Sequence, residues 1–364
     1  MTVSQIASII EELAPKAYQE SYDNTGLCVG SATQEVGGAL LCLDVTEEIV
    51  HEAIAHKCNL IISHHPVIFG GLKQITGQTE QQRVVRLAIK NDIALYSAHT
   101  NIDSVRGGVS EKMADRLALT NRSILIPQKG NLVKLVTFAP TRHAEKVRSA
   151  LFEAGAGHIG AYSHCSYNAS GTGTFMAGEG AQPFVGKWGE LRQEPEERME
   201  VIVPEHLSGK VVSALIKTHP YEEPAFDLVP LANVNPNVGF GILGKLPKQM
   251  EVNAFLKQVK QVFKCSSIKY STCTKPIISK VAVMSGSGAG FSGAASAVGA
   301  DAYVSADFKY HELQNINTQL LAIDIGHYES EVAVIEIFYD VLTKKCSKFV
   351  VRLASSLKNP INYL

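Results

Sequence analysis

Two adjacent histidines, His64 and His65, follow the apolar run Asn59-Leu60-Ile61-Ile62-Ser63 and precede Pro66. A short apolar run of this kind reads as a central strand, and the proline stops it. The pair therefore falls at a strand's C-terminal end, the edge on which open α/β sheets build their sites. Neutral imidazole is a common metal ligand. Two neighbouring rings fit one tetrahedral ion poorly, but they can serve two ions side by side. Taken alone, the pair could equally be a surface turn with incidental histidines.

The rest of the chain offers partners. Ile93-Ala94-Leu95-Tyr96-Ser97 is another apolar run, and it opens into Ala98-His99-Thr100-Asn101-Ile102-Asp103. Leu320–Ile325 repeats the pattern, with Gly326 and His327 after it and Glu331 four residues further on. Residues four apart share a helix face, so His327 and Glu331 can aim at one spot; the bland alternative is an exposed i,i+4 pair. Three strand ends thus deliver His64, His65, Asp103, His327 and Glu331. Nitrogen and carboxylate ligands without thiolate suit Zn, Mn, Fe, Ni or Co, and carboxylates often bridge two ions. His99 and His311 are candidate proton donors beside such a site. Asp44 and Asp324 also close apolar runs and read as strand-end turn residues.

Other motifs compete. Gly288-x-Gly290-x-x-Gly293 follows a strand pattern, with Asp307 nineteen residues after Gly288. That is the outline of a dinucleotide fingerprint. Too few residues follow for a full six-stranded dinucleotide domain, so a tight structural turn near the cleft is the better reading. The same turn could hold a substrate's phosphate. Asp23-Asn24-Thr25-Gly26 has turn composition; it is either a plain loop or one that orients ligands by hydrogen bonds. His219-Pro220-Tyr221-Glu222-Glu223-Pro224 reads as a rigid turn or subunit contact. His158 and His164 have no acidic partner at ligand spacing.

The elements that position these residues alternate. Helical periodicity at 2–14, 46–57, 80–91 and 108–117 is interleaved with strand patterns at 39–44, 59–63 and 93–97, which predicts a mainly parallel sheet covered by helices. From Leu132 the order becomes strand, helix, strands, helix, strand, as in a ferredoxin-like α+β module. Ala232–Asn237 reads as a linker back. Alternation then resumes, with a helix at 309–317, a single helix at 329–342 and an edge strand at 348–353. The expected fold is a split α/β domain, residues 1–125 and 235–364, interrupted by an inserted ferredoxin-like domain at 126–234.

The chain has 364 residues, 34 basic and 35 acidic, for a formal charge of −1. No basic patch stands out, which argues against nucleic-acid binding through phosphate neutralisation. The seven cysteines form no Cys-x-x-Cys pair, which argues against a disulfide framework or a zinc knuckle. No apolar run approaches the ~18 residues of a membrane span, and the start lacks a signal-peptide pattern. A cytoplasmic location is the simplest expectation.

Taken together, Tyr22–Leu27, Ser63–Pro66, His99–Asp103, His219–Pro224, Ser305-Ala306-Asp307-Phe308-Lys309-Tyr310-His311 and Gly326–Glu331 give the chain a family resemblance. It resembles the dinuclear-metal-centre hexameric proteins labelled GTP cyclohydrolase type-two homologues, the NGG-interacting-factor-like family, in the long form with an inserted middle domain. The family motif often begins Thr-Gly-Asp where this chain has Ser305-Ala306-Asp307. The resemblance implies two divalent metal ions on His64, His65, Asp103, His327 and Glu331, with Glu331 as the bridging ligand. It also implies a homohexamer, a trimer of dimers, and a nucleotide-like substrate. Three functions compete: a metal-dependent hydrolase, a non-catalytic metal-binding or regulatory protein, and, on the glycine turn alone, a nicotinamide-dependent oxidoreductase.

Overall fold

A computed structural model describes all residues, 1–364. The chain forms two compact units, one of Met1–Pro127 with Asn237–Leu364 and one of Gln128–Pro236.

The larger unit holds two mixed sheets rather than one mainly parallel sheet. The first takes β1 (Gly26–Val29), β2 (Ala39–Cys42), β3 (Leu60–Ser63), β4 (Ala94–Ser97) and β15 (Val351–Leu353), in the order β1-β4-β3-β2-β15. Its four strands β15, β2, β3 and β4 run parallel, and β1 closes the edge antiparallel to β4. All residues of β2, β3 and β4 are buried, which explains their unbroken apolar runs. The second sheet has β5 (Thr120–Lys129), β10 (Val234–Glu251), β11 (Lys269–Tyr270), β12 (Ile277–Val283), β13 (Ala302–Ser305) and β14 (Leu321–Asp324), in the order β11-β14-β13-β12-β10-β5. Only β12, β13 and β14 are parallel; β10 and β11 pair antiparallel. Strand periodicity reveals buried runs but not which sheet a run joins, so two sheets read as one.

Helices flank these strands where apolar residues recur at 3–4 spacing. Val3–Glu11 buries Val3, Ile6 and Ile10, and Thr2 caps it through a reciprocal bond with Gln5. Glu47–Ala55 is capped by Thr46, whose side chain accepts from Ile49 N. The helix expected at 329–342 is two helices, His327–Glu331 and Val334–Lys345. The segment Ala232–Asn237 carries the chain from the smaller unit, which ends at Pro236, back to the larger, which resumes at Asn237, but β10 already begins within it at Val234.

The smaller unit contributes β6 (Leu132–Pro140), β7 (Tyr167–Met176), β8 (Leu191–Pro204) and β9 (Phe226–Pro230), in an antiparallel sheet ordered β7-β8-β6-β9. Helices Ala144–Glu153 and Ser208–Thr218 pack on it through Val147, Leu151, Val211 and Leu215, against Leu135, Met199 and Val201.

Candidate metal centre

His64 and His65 emerge directly from β3, and both backbone N–H groups donate to Leu43 O at 3.1 Å. That shared anchor splays the two rings, whose centroids lie 5.0 Å apart. His64 is fully buried, and its Nδ1 meets Ala98 O at 2.9 Å. His65 Nδ1 meets Asp44 Oδ1 at 2.7 Å, and His327 Nδ1 meets Asp307 Oδ2 at 2.7 Å. A carbonyl or an ionised carboxylate only accepts, so each Nδ1 carries the proton and donates. The three Nε2 atoms are thereby the ones left to face inward, as they are in histidine metal sites.

What they face is Glu331. Its Oε1 lies 3.7 Å from His64 Nε2, which is also 3.6 Å from Asp103 Oδ2. Its Oε2 lies 2.9 Å from both His65 Nε2 and His327 Nε2, which are 3.4 Å from each other. One carboxylate thus faces two ligand groups, a deep one (His64, Asp103) and an outer one (His65, His327). Ligands about 2.0–2.2 Å from a tetrahedral ion stand roughly 3.3–3.6 Å apart, close to these separations.

Two buried polar atoms have no hydrogen-bond partner here, His64 Nε2 and Glu331 Oε2. For Oε2 the distances to His65 and His327 are those of ion pairs, yet neither contact makes a hydrogen bond. Atoms that approach one another without addressing one another fit a shared cation between them. The histidine–carboxylate set therefore fits a divalent metal ion on geometry and on chemistry.

The electrostatics agree. Burial pulls His65 down, but the Asp44 and Glu331 carboxylates beside it outweigh this and push it up to about 10. His327, opposed by burial and raised by Glu331 and Asp307, goes to about 9. Burial opposes ionisation of Glu331, yet His64 first, and His327 and His65 beside it, hold its carboxyl well below the usual range. Burial raises Asp103. Without an ion, protons on the rings offset the carboxylate charge, so the cluster demands positive charge from some source.

The remaining residues sort clearly. His99 joins the cluster, its ring edge-on to His64 and His65 at 5.2 and 5.4 Å. Its Nδ1 meets Asp23 Oδ1 at 2.8 Å, and Thr100 N and Thr25 Oγ1 each donate to Asp23 Oδ2 at 3.0 Å. The Asp23–Gly26 turn is therefore a support for His99 rather than a plain loop. His311 is not brought in: it is exposed on the helix Tyr310–Gln314 and bonded to Gln314 Oε1 at 3.1 Å. Asp44, expected to be a mere turn residue, orients His65. Asp324 is the turn residue it resembles, accepting from Phe308 N at 3.1 Å and Gly326 N at 3.0 Å.

The glycine turn is part of the wall. Ser285 Oγ donates to Asp103 Oδ1 at 2.9 Å, and Gly286 N donates to Ser330 Oγ at 2.9 Å. Gly286 has φ +63°, and a Cβ there would overlap Glu331 Oε1. Asp307 is committed to His327 and Ser287, not free for a ribose.

Fold and cluster together define a class: a split mixed α/β protein whose strand ends carry a histidine–carboxylate group able to hold metal. The family model of Duf34/NIF3 (NGG1p interacting factor 3) matches residues 1–360. The chain belongs to the DUF34/NIF3 family. It is 42% identical over 324 residues to a "GTP cyclohydrolase 1 type 2 homolog" of Halalkalibacterium halodurans, covering 88% of this chain and 87% of that one. The Bacillus subtilis protein of the same name is 37% identical, with 90% and 88% covered. A solved Bacillus cereus protein related to NIF3 superposes with TM-score 0.89 at 36% identity, covering 100% of this chain and 99% of that one.

Proposed function

We propose that this chain holds two divalent metal ions and hydrolyses a nucleotide-like substrate. The deep position would be held by His64, Asp103 and Glu331, the outer by His65, His327 and Glu331. The observation that carries the reading is Glu331, whose two oxygens face different ligand groups. Divalent ions so placed would supply Lewis acidity, lowering the pKa of water and stabilising charge on a leaving oxygen. The chemistry of the donors admits Zn, Fe, Mn, Ni or Co.

The two groups differ in access. His64 and Glu331 are wholly buried, whereas the His65 and His327 side chains are 24% and 37% exposed. The deep group suits a structural ion and the outer one an open coordination position, which catalysis needs. His99 is the residue for proton transfer: Asp23 fixes Nδ1–H, leaving Nε2 to take or give a proton beside the cluster.

The printed name of the relatives motivates a nucleotide, and the rim supports a planar ring. Phe69 stands edge-on to His99 at 6.0 Å and Tyr22 lies 6.3 Å beyond it, both well exposed. Exposed aromatic faces of this kind are stacking platforms for bases. We also assign the smaller unit to the ferredoxin-like class on its strand order, and the assembly to a homohexamer, a trimer of dimers, on family membership. Seven free cysteines support a reducing, cytoplasmic setting.

Elemental analysis of purified protein should give two metal equivalents, lost together in Glu331→Gln and by one in His65→Ala. A nucleoside triphosphate panel should show metal-dependent turnover, abolished in His65→Ala. Two bound equivalents with no turnover on the panel would favour the non-catalytic, metal-binding alternative; no bound metal would end both readings. Mass measurement in solution tests the hexamer.

A further inference from the structure

The smaller unit contains a cavity of about 830 Å³, within the ~300–1,000 Å³ range of small-molecule sites. It belongs wholly to residues of that unit and has no part in the metal cluster. Its character is aromatic and acidic. Tyr221 stands 5.9 Å from Phe175 and 6.4 Å from Phe184, ring centroid to centroid, with interplanar angles of 59° and 52°. Three tilted rings of this kind form a cup rather than a stack.

At the cup lies Glu196, only 8% exposed. Its Oε1 accepts from Tyr221 OH at 2.7 Å, and no protein donor reaches Oε2. The carboxylate passes directly over Gly173 of β7, where any Cβ would overlap it. Glycine at that position of β7 makes the room Glu196 needs. Glu222 and Glu223 add two more carboxylates to the lining, and Glu222 Oε2 accepts from Gln182 N at 2.8 Å, tying the wall in place. Against these three, the lining has one cationic side chain, Arg198, and beside the lining Arg142 lies 5.3 Å over the Phe184 ring, leaving the faces of Phe175 and Tyr221 to a ligand. The Arg198 guanidinium is committed to Glu200 at 2.9 Å and lies 6.0 Å over the Phe138 ring.

A nearly buried carboxylate with an unclaimed oxygen, faced by aromatic rings, is a constellation for a positively charged organic group. The ring quadrupoles attract a cation over their faces, and the carboxylate supplies a charge-assisted hydrogen bond. A neutral ligand would leave Glu196 desolvated without return, and an anion would meet net negative charge. We propose that this cavity binds a small organic cation, with its ammonium head at Glu196 and an apolar body against Phe175, Phe184 and Tyr221.

The full chain supplies its own reporter. Trp188 is the single tryptophan, and its Nε1–H donates to Ala181 O at 2.7 Å on the cavity wall. Tryptophan emission and calorimetry would follow titration with phenethylammonium, 2-phenylethanol and 3-phenylpropionate. Saturable binding of the ammonium is expected, at least about tenfold tighter than the alcohol, with no binding of the anion. Glu196→Gln keeps an acceptor for Tyr221 OH and should erase the preference for the ammonium over the alcohol. Phe175→Ala should weaken the ammonium without reversing the order.

Equal affinity for ammonium and alcohol, an unchanged preference in Glu196→Gln, or no saturable response to any probe would each overturn the proposal. So would amide protection of Gly171–Phe175 that appears on self-association without ligand, since a second copy would then fill the cup. Should Glu196→Gln fail to fold, the three-probe comparison on the unmodified chain still decides.

Discussion

Replacing Gly286 by alanine perturbs the centre without touching any ligand. Gly286 has φ +63°, a left-handed conformation that costs a non-glycine residue about 1–2 kcal/mol. The new methyl would also overlap Glu331 Oε1, and that carboxylate is hemmed in by three imidazoles. It must retreat by roughly 1 Å, the scale of misplacement that disables constellations of this precision. Driving Glu331 off its rotamer adds about 0.5–1.5 kcal/mol. The sum, about 1.5–3.5 kcal/mol, corresponds to roughly 3–14 °C in Tm for a unit of this size. Because the clash is with Oε1, the deep group suffers first. Metal titration by calorimetry or a chromophoric chelator should show one class of site weakened and the other nearly kept. Gly290→Ala is the matched control, since a Cβ there meets nothing within 4 Å. If Gly286→Ala binds metal and melts like the parent, then Glu331 does not occupy the place described and the reasoning fails.

Metal-free protein should lose stability as pH rises through about 9–10, where His65 and His327 give up their protons. Both values are raised above the ordinary ~6.5, so their contribution is complete below that pH and gone above the folded values; a melting series in chelator from pH 6 to 11 checks the sign. Asp44→Ala should weaken the outer metal position about 10–100-fold by freeing the His65 ring, leaving the deep one intact, as read by competition with a chelator. Asp23→Asn should lower turnover with metal content unchanged, because of the residues in the cluster Asp23 bonds His99, while its other bonds go to Thr25 and Thr100; an equal loss of metal would refute that separation. Acidification should release metal with proton uptake, measurable by equilibrium dialysis below pH 6.

The residues of the cluster were legible because each follows a buried strand, and strand ends are where α/β sheets place chemistry. Asp44 was not, since an aspartate closing a strand looks the same whether it faces water or a neighbour. The signal lay in the register. Cys42 pairs with Ser63 and Ser63 with Ser97, so Asp44, His65 and His99 each stand two residues beyond a common line. Once strands β2, β3 and β4 are known to be adjacent, the three must be neighbours. Adjacency is a long-range fact, which periodicity does not contain. The same gap hid the split into two sheets and the entry of β10 at Val234. His311 looked as suitable as His99 by type; only the tertiary path sends it to the surface.

The cluster draws its members from distant stretches of the polypeptide, Glu331 lying 228 residues after Asp103. At translation speeds of about 5–20 residues per second, the nascent chain carries a half-formed centre for roughly 10–45 s. During that interval three imidazoles and an aspartate are present without the glutamate that would join them, and β2 still lacks β15, laid down only at 351–353. The two ligand groups that share Glu331 can therefore be joined only late in synthesis, after the first strands of the sheet have been made.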